Sequence, residues 1–248
     1  MNKVAIVTGA SRGIGAATAL RLAADGYDVC INYLSNESAA LEIHESIIRH
    51  GVRCIYVQAD IAIEADVARL FDTVDQRLGT PYALVNNAGI LFQQCRVSEL
   101  NAERINAVLA TNVTGYFLCC KQAVTRMSTK RGGYGGVIVN VSSAASRLGS
   151  AGEYVDYAAS KGAVDTLTIG LANEVADEGI RVNGVRPGFI YTDMHSSGGE
   201  PNRVNRLKHS LPIKRGGKPE EVAAAIAWLV SDASSYTTGS FIEVSGGR

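Results

Sequence analysis

The chain has 248 residues, 46% hydrophobic and 19% charged, enough to bury one large core and too apolar for a disordered segment. Its 24 Lys and Arg balance 24 Asp and Glu, so the formal charge of zero gives no attraction to nucleic acid or to an anionic membrane. Five cysteines (Cys30, Cys54, Cys95, Cys119 and Cys120) without a Cys-x-x-Cys argue against a disulfide framework and suit a reducing, cytoplasmic location.

Short β-branched runs alternate with longer helical patterns. Strands are expected at 4–7, 29–32, 54–57, 83–86, 137–141, 180–185 and 240–244. Helices are expected at 15–24, 38–49, 65–77, about 103–127, about 157–175 and 220–229. Nearly continuous apolar strands separated by helices imply a parallel seven-stranded sheet flanked by helices, a doubly wound α/β fold of Rossmann type. With no linker and no repeat, residues 1–248 read as one domain. The stretch 191–219 carries Gly198-Gly199, Pro201, Pro212 and Gly216-Gly217 without a period, which suits a lid over a site. The apolar opening run is too short for a signal peptide, and no run is long enough to span a membrane. His44, His50, His195 and His209 lack metal-ligand spacing, so no metal is expected.

The first strand runs into Thr8-Gly9-Ala10-Ser11-Arg12-Gly13-Ile14-Gly15. Glycines here let the backbone turn sharply and approach a ligand, while the following helix offers free N–H groups and a positive dipole end to a pyrophosphate. Gly9 to Gly13 also fits the G-x-S-x-G elbow of serine hydrolases. Only ten residues precede Ser11, however, too few for the strands and oxyanion loop that such an elbow needs. A dinucleotide site for NAD usually has an acid about 20 residues on, at the end of the second strand. Here that stretch reads Asn32-Tyr33-Leu34-Ser35-Asn36, and Glu37 is expected to open the next helix. With Arg12 in the turn and no acid at the strand end, a 2′-phosphate, hence NADP, is favoured.

Tyr157 and Lys161 stand at i and i+4 on one helix face. A free tyrosine titrates near ~10, and a neighbouring ammonium favours its phenolate, so the pair suits proton exchange with an alcohol or alkoxide. The fifth strand ends in Ser142-Ser143, at the carboxyl edge where such sheets bind ligands. Ser143 can donate to a substrate oxygen, and Ser142 is read as turn chemistry.

In this order and spacing, the glycine turn, Asn86-Asn87-Ala88-Gly89, Ser143/Tyr157/Lys161 and Arg186-Pro187-Gly188 resemble the short-chain dehydrogenase/reductase family over essentially the whole chain. The resemblance implies an NADP-dependent oxidoreductase interconverting a small-molecule carbonyl and an alcohol. Tyr157 would be the acid/base, and Lys161 would tune it and bind the nicotinamide ribose. Ser143 would orient the carbonyl, and Asn112 would hold a water of a proton relay. Gly9, Ser11, Arg12, Gly13, Ile14, Gly15, Asn32, Tyr33, Asp60, Ile61, Asn87, Ala88, Gly89, Pro187, Gly188, Ile190 and Thr192 would line the cofactor. The resemblance also implies a homotetramer joined through the two long helices and the last strand. A small-residue face of Ala158, Ala159, Gly162 and Ala163 on one of those helices fits this.

Within the family the sequence looks nearest to oxidoreductases of unassigned substrate, then to 3-ketoacyl-carrier reductases and glucose 1-dehydrogenases. The segment Gly152-Glu153-Tyr154-Val155-Asp156 looks one residue longer than in ketoacyl reductases, which puts substrate transfer in doubt. Leu91, Phe92, Gln94, Ala145, Arg147, Glu153, Tyr154, Phe189, Met194 and His195 are the expected substrate walls. An acidic carrier protein would want a basic entrance. Arg126, Lys130 and Arg131 offer one, but Asp177-Glu178 oppose it. From other classes, a catalytically silent NADP-binding protein and a serine hydrolase remain as alternatives.

Overall fold

A computed structural model describes residues 2–248. Seven strands are β1 (Val4–Val7), β2 (Asp28–Tyr33), β3 (Cys54–Gln58), β4 (Pro81–Asn86), β5 (Gly136–Val141), β6 (Ile180–Pro187) and β7 (Phe241–Val244). They pair in parallel in the order β3-β2-β1-β4-β5-β6-β7. Every residue of β1, β2 and β5 is buried, because helices cover both faces and leave no polar side to the sheet. The strand order reverses between β1 and β4. At that switch point, the crevice beyond the strand ends is where doubly wound sheets bind ligands.

The main covering helices are α1 (Gly13–Ala24), α2 (Glu37–Ile48) and α3 (Glu64–Arg77), then α4 (Ala102–Leu109) and α5 (Gly115–Met127). After β5 come α6 (Ala145–Leu148) and α7 (Val155–Val175). Past β6 follow α8 (Met194–Ser197), α9 (Arg203–Leu207) and α10 (Pro219–Val230). Glu37 opens α2 as expected, with Asn36 as N-cap accepting from Ala39 N at 3.1 Å. Its charge therefore serves a helix start and lies outside the end of β2. Pro219 begins α10 at the position where its missing N–H costs nothing.

The region 102–127 is not one continuous α-helix. A π-turn over Ala110–Thr114 separates α4 from α5. The stretch 191–219 holds only short helices, and a single parallel bridge, Ile190 with Gly217, ties its two ends together. On α7, Ala158 is buried against the molecule, so it does not belong to an outward small-residue face. Ala159, Gly162, Ala163 and Gly170 make that face instead, and a Cβ on Gly162 or Gly170 would meet nothing within 4 Å. No described helix is long and apolar enough to cross a membrane.

Candidate active site

The glycine turn is fixed from below by side chains of neighbouring strands. Thr8 Oγ1 accepts from the amides of Asn87 (2.9 Å) and Ala88 (3.1 Å), and Asn87 Nδ2 donates to the carbonyls of Thr8 and Gly9. Gly9 has φ +61°, and a Cβ there would lie 2.8 Å from Ala88 Cα. Both the backbone angle and the close approach require glycine. The start of α1 has no side-chain cap and no acid in its first turn, so its N–H groups are left for an external anion. Arg12 is exposed beside them. An uncapped helix start behind a backbone-only turn fits a dinucleotide pyrophosphate.

Asn32 is held at the end of β2 by hydrogen bonds to its neighbours. Its side chain is 2% exposed; Oδ1 accepts from Gly9 N at 3.2 Å and Nδ2 donates to Ala59 O at 2.9 Å. It ties β2 to the glycine turn. Tyr33 is likewise buried, 6.2 Å from the ring of Tyr56. Asp60 is half-buried, with Oδ1 accepting from Ala62 N, and Ile61 packs where a Cβ on Gly115 would go.

Across the switch point a cavity of about 360 Å³ opens beyond the ends of β5 and β6. Its lining joins Ser143, Tyr157 and Lys161 to Ile14, Asn87, Pro187, Gly188, Ile190 and Thr192, all expected around a cofactor. Ser143 Oγ accepts from Ala145 N at 3.1 Å, which leaves its O–H free to donate. Ser142 also lines the cavity, and its Oγ donates to Lys161 O, a tie from the end of β5 to α7 rather than the local turn contact expected.

Lys161 is 2% exposed, and its Nζ donates to Val141 O at 2.8 Å and Tyr116 Oη at 3.2 Å. Burial penalises the ammonium and pulls its pKa down to about 7, against the raising effect of Asp165. Burial likewise pushes the Tyr157 phenol up to about 12, with Ser143 acting in the opposite sense. The sequence had suggested a Tyr157 lowered by Lys161. In the free protein desolvation wins, because Nζ lies 5.7 Å from the Tyr157 ring centre and is directed at Val141 and Tyr116.

Asn112 sits on the π-turn and is fully buried. Its Oδ1 accepts from Ile90 N at 2.8 Å, and Nδ2 donates to Ile90 O and Ser160 Oγ. Ser160 Oγ in turn donates to Tyr157 O at 2.7 Å. A π-turn, often found at functional sites, thus couples Asn112 to the turn of α7 that bears Tyr157. Ser160 and Tyr116 went unnoticed in the sequence because each reads as an ordinary helix residue.

Of the expected substrate walls, Leu91, Ala145, Glu153, Tyr154, Phe189, Met194 and His195 line the cavity. Phe92 is exposed beneath Arg104, Gln94 bonds Glu200 at 2.8 Å, and Arg147 pairs with Glu243. Each has found a partner elsewhere. The cavity adds Arg203 and Arg248, both near the Phe189 ring at 5.4 and 4.5 Å. Neither carried a sequence signal, since each lies in an aperiodic stretch. Among the described residues no cluster of His, Cys, Asp or Glu could hold a metal.

The family model described as "Enoyl-(Acyl carrier protein) reductase" matches residues 9–248. A crystal structure of a short-chain type dehydrogenase/reductase from Mycobacterium marinum superposes with a TM-score of 0.92 at 32% identity, covering 99% of this chain and 94% of that one. The chain belongs to the short-chain dehydrogenase/reductase family. Among curated members, it is 63% identical to the uncharacterized oxidoreductase YgfF of Escherichia coli, over 99% of both chains. It is 40% identical to glucose 1-dehydrogenase 2 of Bacillus subtilis, over 99% of this chain and 94% of that one. It is therefore an oxidoreductase of a family that binds nicotinamide cofactors.

Proposed function

We propose that the protein interconverts a small carbonyl compound and its alcohol with NADP as the hydride carrier. The observation that carries this reading is the convergence of Ser143, Tyr157 and Lys161 on one cavity that also reaches the glycine turn. When bound, the reduced nicotinamide supplies the hydride. In carbonyl reduction Tyr157 Oη donates its proton to the substrate oxygen, and Ser143 Oγ donates a hydrogen bond to the same oxygen. With the cofactor bound, Lys161 would favour the phenolate that remains and would hold the nicotinamide ribose. Asn112 holds a water of the relay that returns the proton. Gly9, Ser11, Gly13, Ile14 and Gly15 would cradle the pyrophosphate, and exposed Arg12 would meet the 2′-phosphate. Asp60 and Ile61 would flank the adenine, Asn87 to Gly89 the adenosine ribose, and Pro187, Gly188, Ile190 and Thr192 the nicotinamide side.

The same reading has one domain over 1–248, with 191–219 as a lid, acting in the cytoplasm, where the five free thiols stay reduced. It includes a homotetramer. The ketoacyl-carrier reductase and glucose dehydrogenase alternatives share the chemistry and differ in the entrance. Lys130 pairs with Asp177 at 2.7 Å, and Arg126 with Asp72 and Asp75. The cations that would attract an acidic carrier are largely neutralised, which favours a free small substrate. The test is a panel of small ketones, aldehydes, alcohols, glucose and a carrier-bound ketoacyl chain, followed by NADPH and NADH absorbance. The reading expects turnover of free carbonyls with NADPH. A carrier-bound substrate better by more than about tenfold in kcat/KM would replace it with the ketoacyl alternative. Absence of turnover on every substrate, with NADPH bound, would favour a silent binding protein.

A further inference from the structure

Arg203 is 5% exposed and forms part of the wall of the cavity that holds Tyr157. It comes from α9, inside the stretch that follows β6. Its Nη2 bonds Glu153, from the loop before α7, and its Nη1 bonds Glu200 at 2.7 Å. The guanidinium lies 5.1 Å from the Tyr154 ring centre and 5.4 Å from that of Phe189. A planar cation between two aromatic faces, gripped by two carboxylates, is fixed in position.

The surrounding seam is closed by contacts from both sides. Tyr154 Oη donates to Gly198 O at 3.2 Å, and Cys95 N donates to Glu153 O at 3.1 Å. A Cβ on Gly198 would lie 2.9 Å from Tyr154 Oη, and one on Gly199 3.1 Å from Gln93. The segment is seated against the loops after β4 and before α7 with no room for a side chain. At about 360 Å³, the cavity is at the small end of the ~300–1,000 Å³ typical of small-molecule sites. Part of that space belongs to the walls expected to meet the nicotinamide. Among the described residues, Arg203 is the one lining residue that is both buried and held by two carboxylates.

We propose that Arg203, locked by Glu153 and Glu200, is a specificity-determining residue, an immovable part of the substrate wall that restricts the cavity to short-chain carbonyl compounds. This inference rests on the carbonyl reductase reading above. It adds a size limit, and the residue that sets it. Extended aliphatic or acyl substrates would have to displace a buried, doubly paired cation, which leaves charges without partners.

The test is a homologous series of methyl ketones, from butanone to decanone, reduced with NADPH. The enzymes are the wild type, Arg203→Met and the double variant Glu153→Gln/Arg203→Met. The double variant leaves no orphaned carboxylate, because Glu200 keeps Arg206 at 2.5 Å. For the wild type, kcat/KM should fall by about tenfold or more along the series, since in a closed pocket a single methylene can carry that much. In the variants the ratio of decanone to butanone should rise by about tenfold, with NADPH affinity unchanged. A merely structural role would lower every ketone in parallel, and that result overturns the proposal. So does a wild type that reduces decanone as well as butanone, whether or not the variants fold. Failure of every ketone, together with every aldehyde and alcohol of the panel above, would sink the reductase reading and the size limit together, whereas equal rates along the series would sink the size limit alone.

Discussion

Replacing Arg104 by alanine should damage both stability and turnover. Arg104 Nε donates to Asp156 Oδ2 at 2.7 Å, its Nη2 to Oδ1 at 3.3 Å, and its Nη1 to Gln93 O at 2.6 Å. The side chains are 16% and 2% exposed, so solvent screens this pair little. Asp156 adjoins Tyr157 in the first turn of α7, which has no side-chain cap. Breaking one half of a buried pair costs about 3–5 kcal/mol. Arg104 keeps some solvent contact, so the lower figure applies, about 3 kcal/mol. Without this clamp, the loop bearing Gln93 and the turn bearing Tyr157 lose their common anchor. A misplacement of about 1 Å can cost up to ~10²-fold in rate. The assay is urea unfolding with a double-mutant cycle on Arg104→Ala and Asp156→Asn, alongside kcat at saturating NADPH. Arg104→Lys keeps the charge without the fork and should recover only part of both. A loss under about 0.5 kcal/mol, or unchanged kcat, would refute the reasoning.

Arg12→Gln should weaken NADPH binding by about 10–150-fold, the worth of a charge-assisted contact of ~1.5–3 kcal/mol, and leave NADH unaffected. Titration of both cofactors checks it, and wild-type NADH binding as tight as NADPH would contradict it. For pH, the Tyr157 phenol, pushed up to about 12, is protonated at neutrality and must lose that proton to act as a base. Alcohol oxidation kcat/KM, which needs the phenolate, should therefore rise above neutrality and still be rising at about pH 9, with any break near pH 7 reporting Lys161 instead. A flat oxidation profile would count against the assignment. Light scattering should give a homotetramer that uses the open face of α7, and Gly162→Arg should dissociate it. A monomer at micromolar concentration in the wild type argues the other way.

The order of strands and covering helices was legible because fully buried parallel strands appear as apolar runs, and the breaks between them carry turn residues. The glycine turn and the Tyr157/Lys161 pair were legible because their geometry depends on local spacing. Tertiary placement decided the rest. Asn32 lay at the right strand end for a cofactor contact, yet its amide bridges Gly9 and Ala59. The π-turn at 110–114 adds no residue type that a periodicity could register. Arg203 enters the cavity from a segment without a period, and its partner Glu153 is 50 residues away. The direction of the Tyr157 shift was missed for a similar reason, since burial cannot be read from an i, i+4 spacing.

The central claim is that Tyr157 exchanges the proton with the substrate oxygen, and Tyr157→Phe tests it most directly. The ring and its packing remain while the hydroxyl is lost. Turnover of the best carbonyl substrate should fall by about 10²–10⁴-fold, with NADPH affinity within about twofold of the wild type. A variant that keeps more than half the wild-type rate while binding NADPH normally would contradict the account.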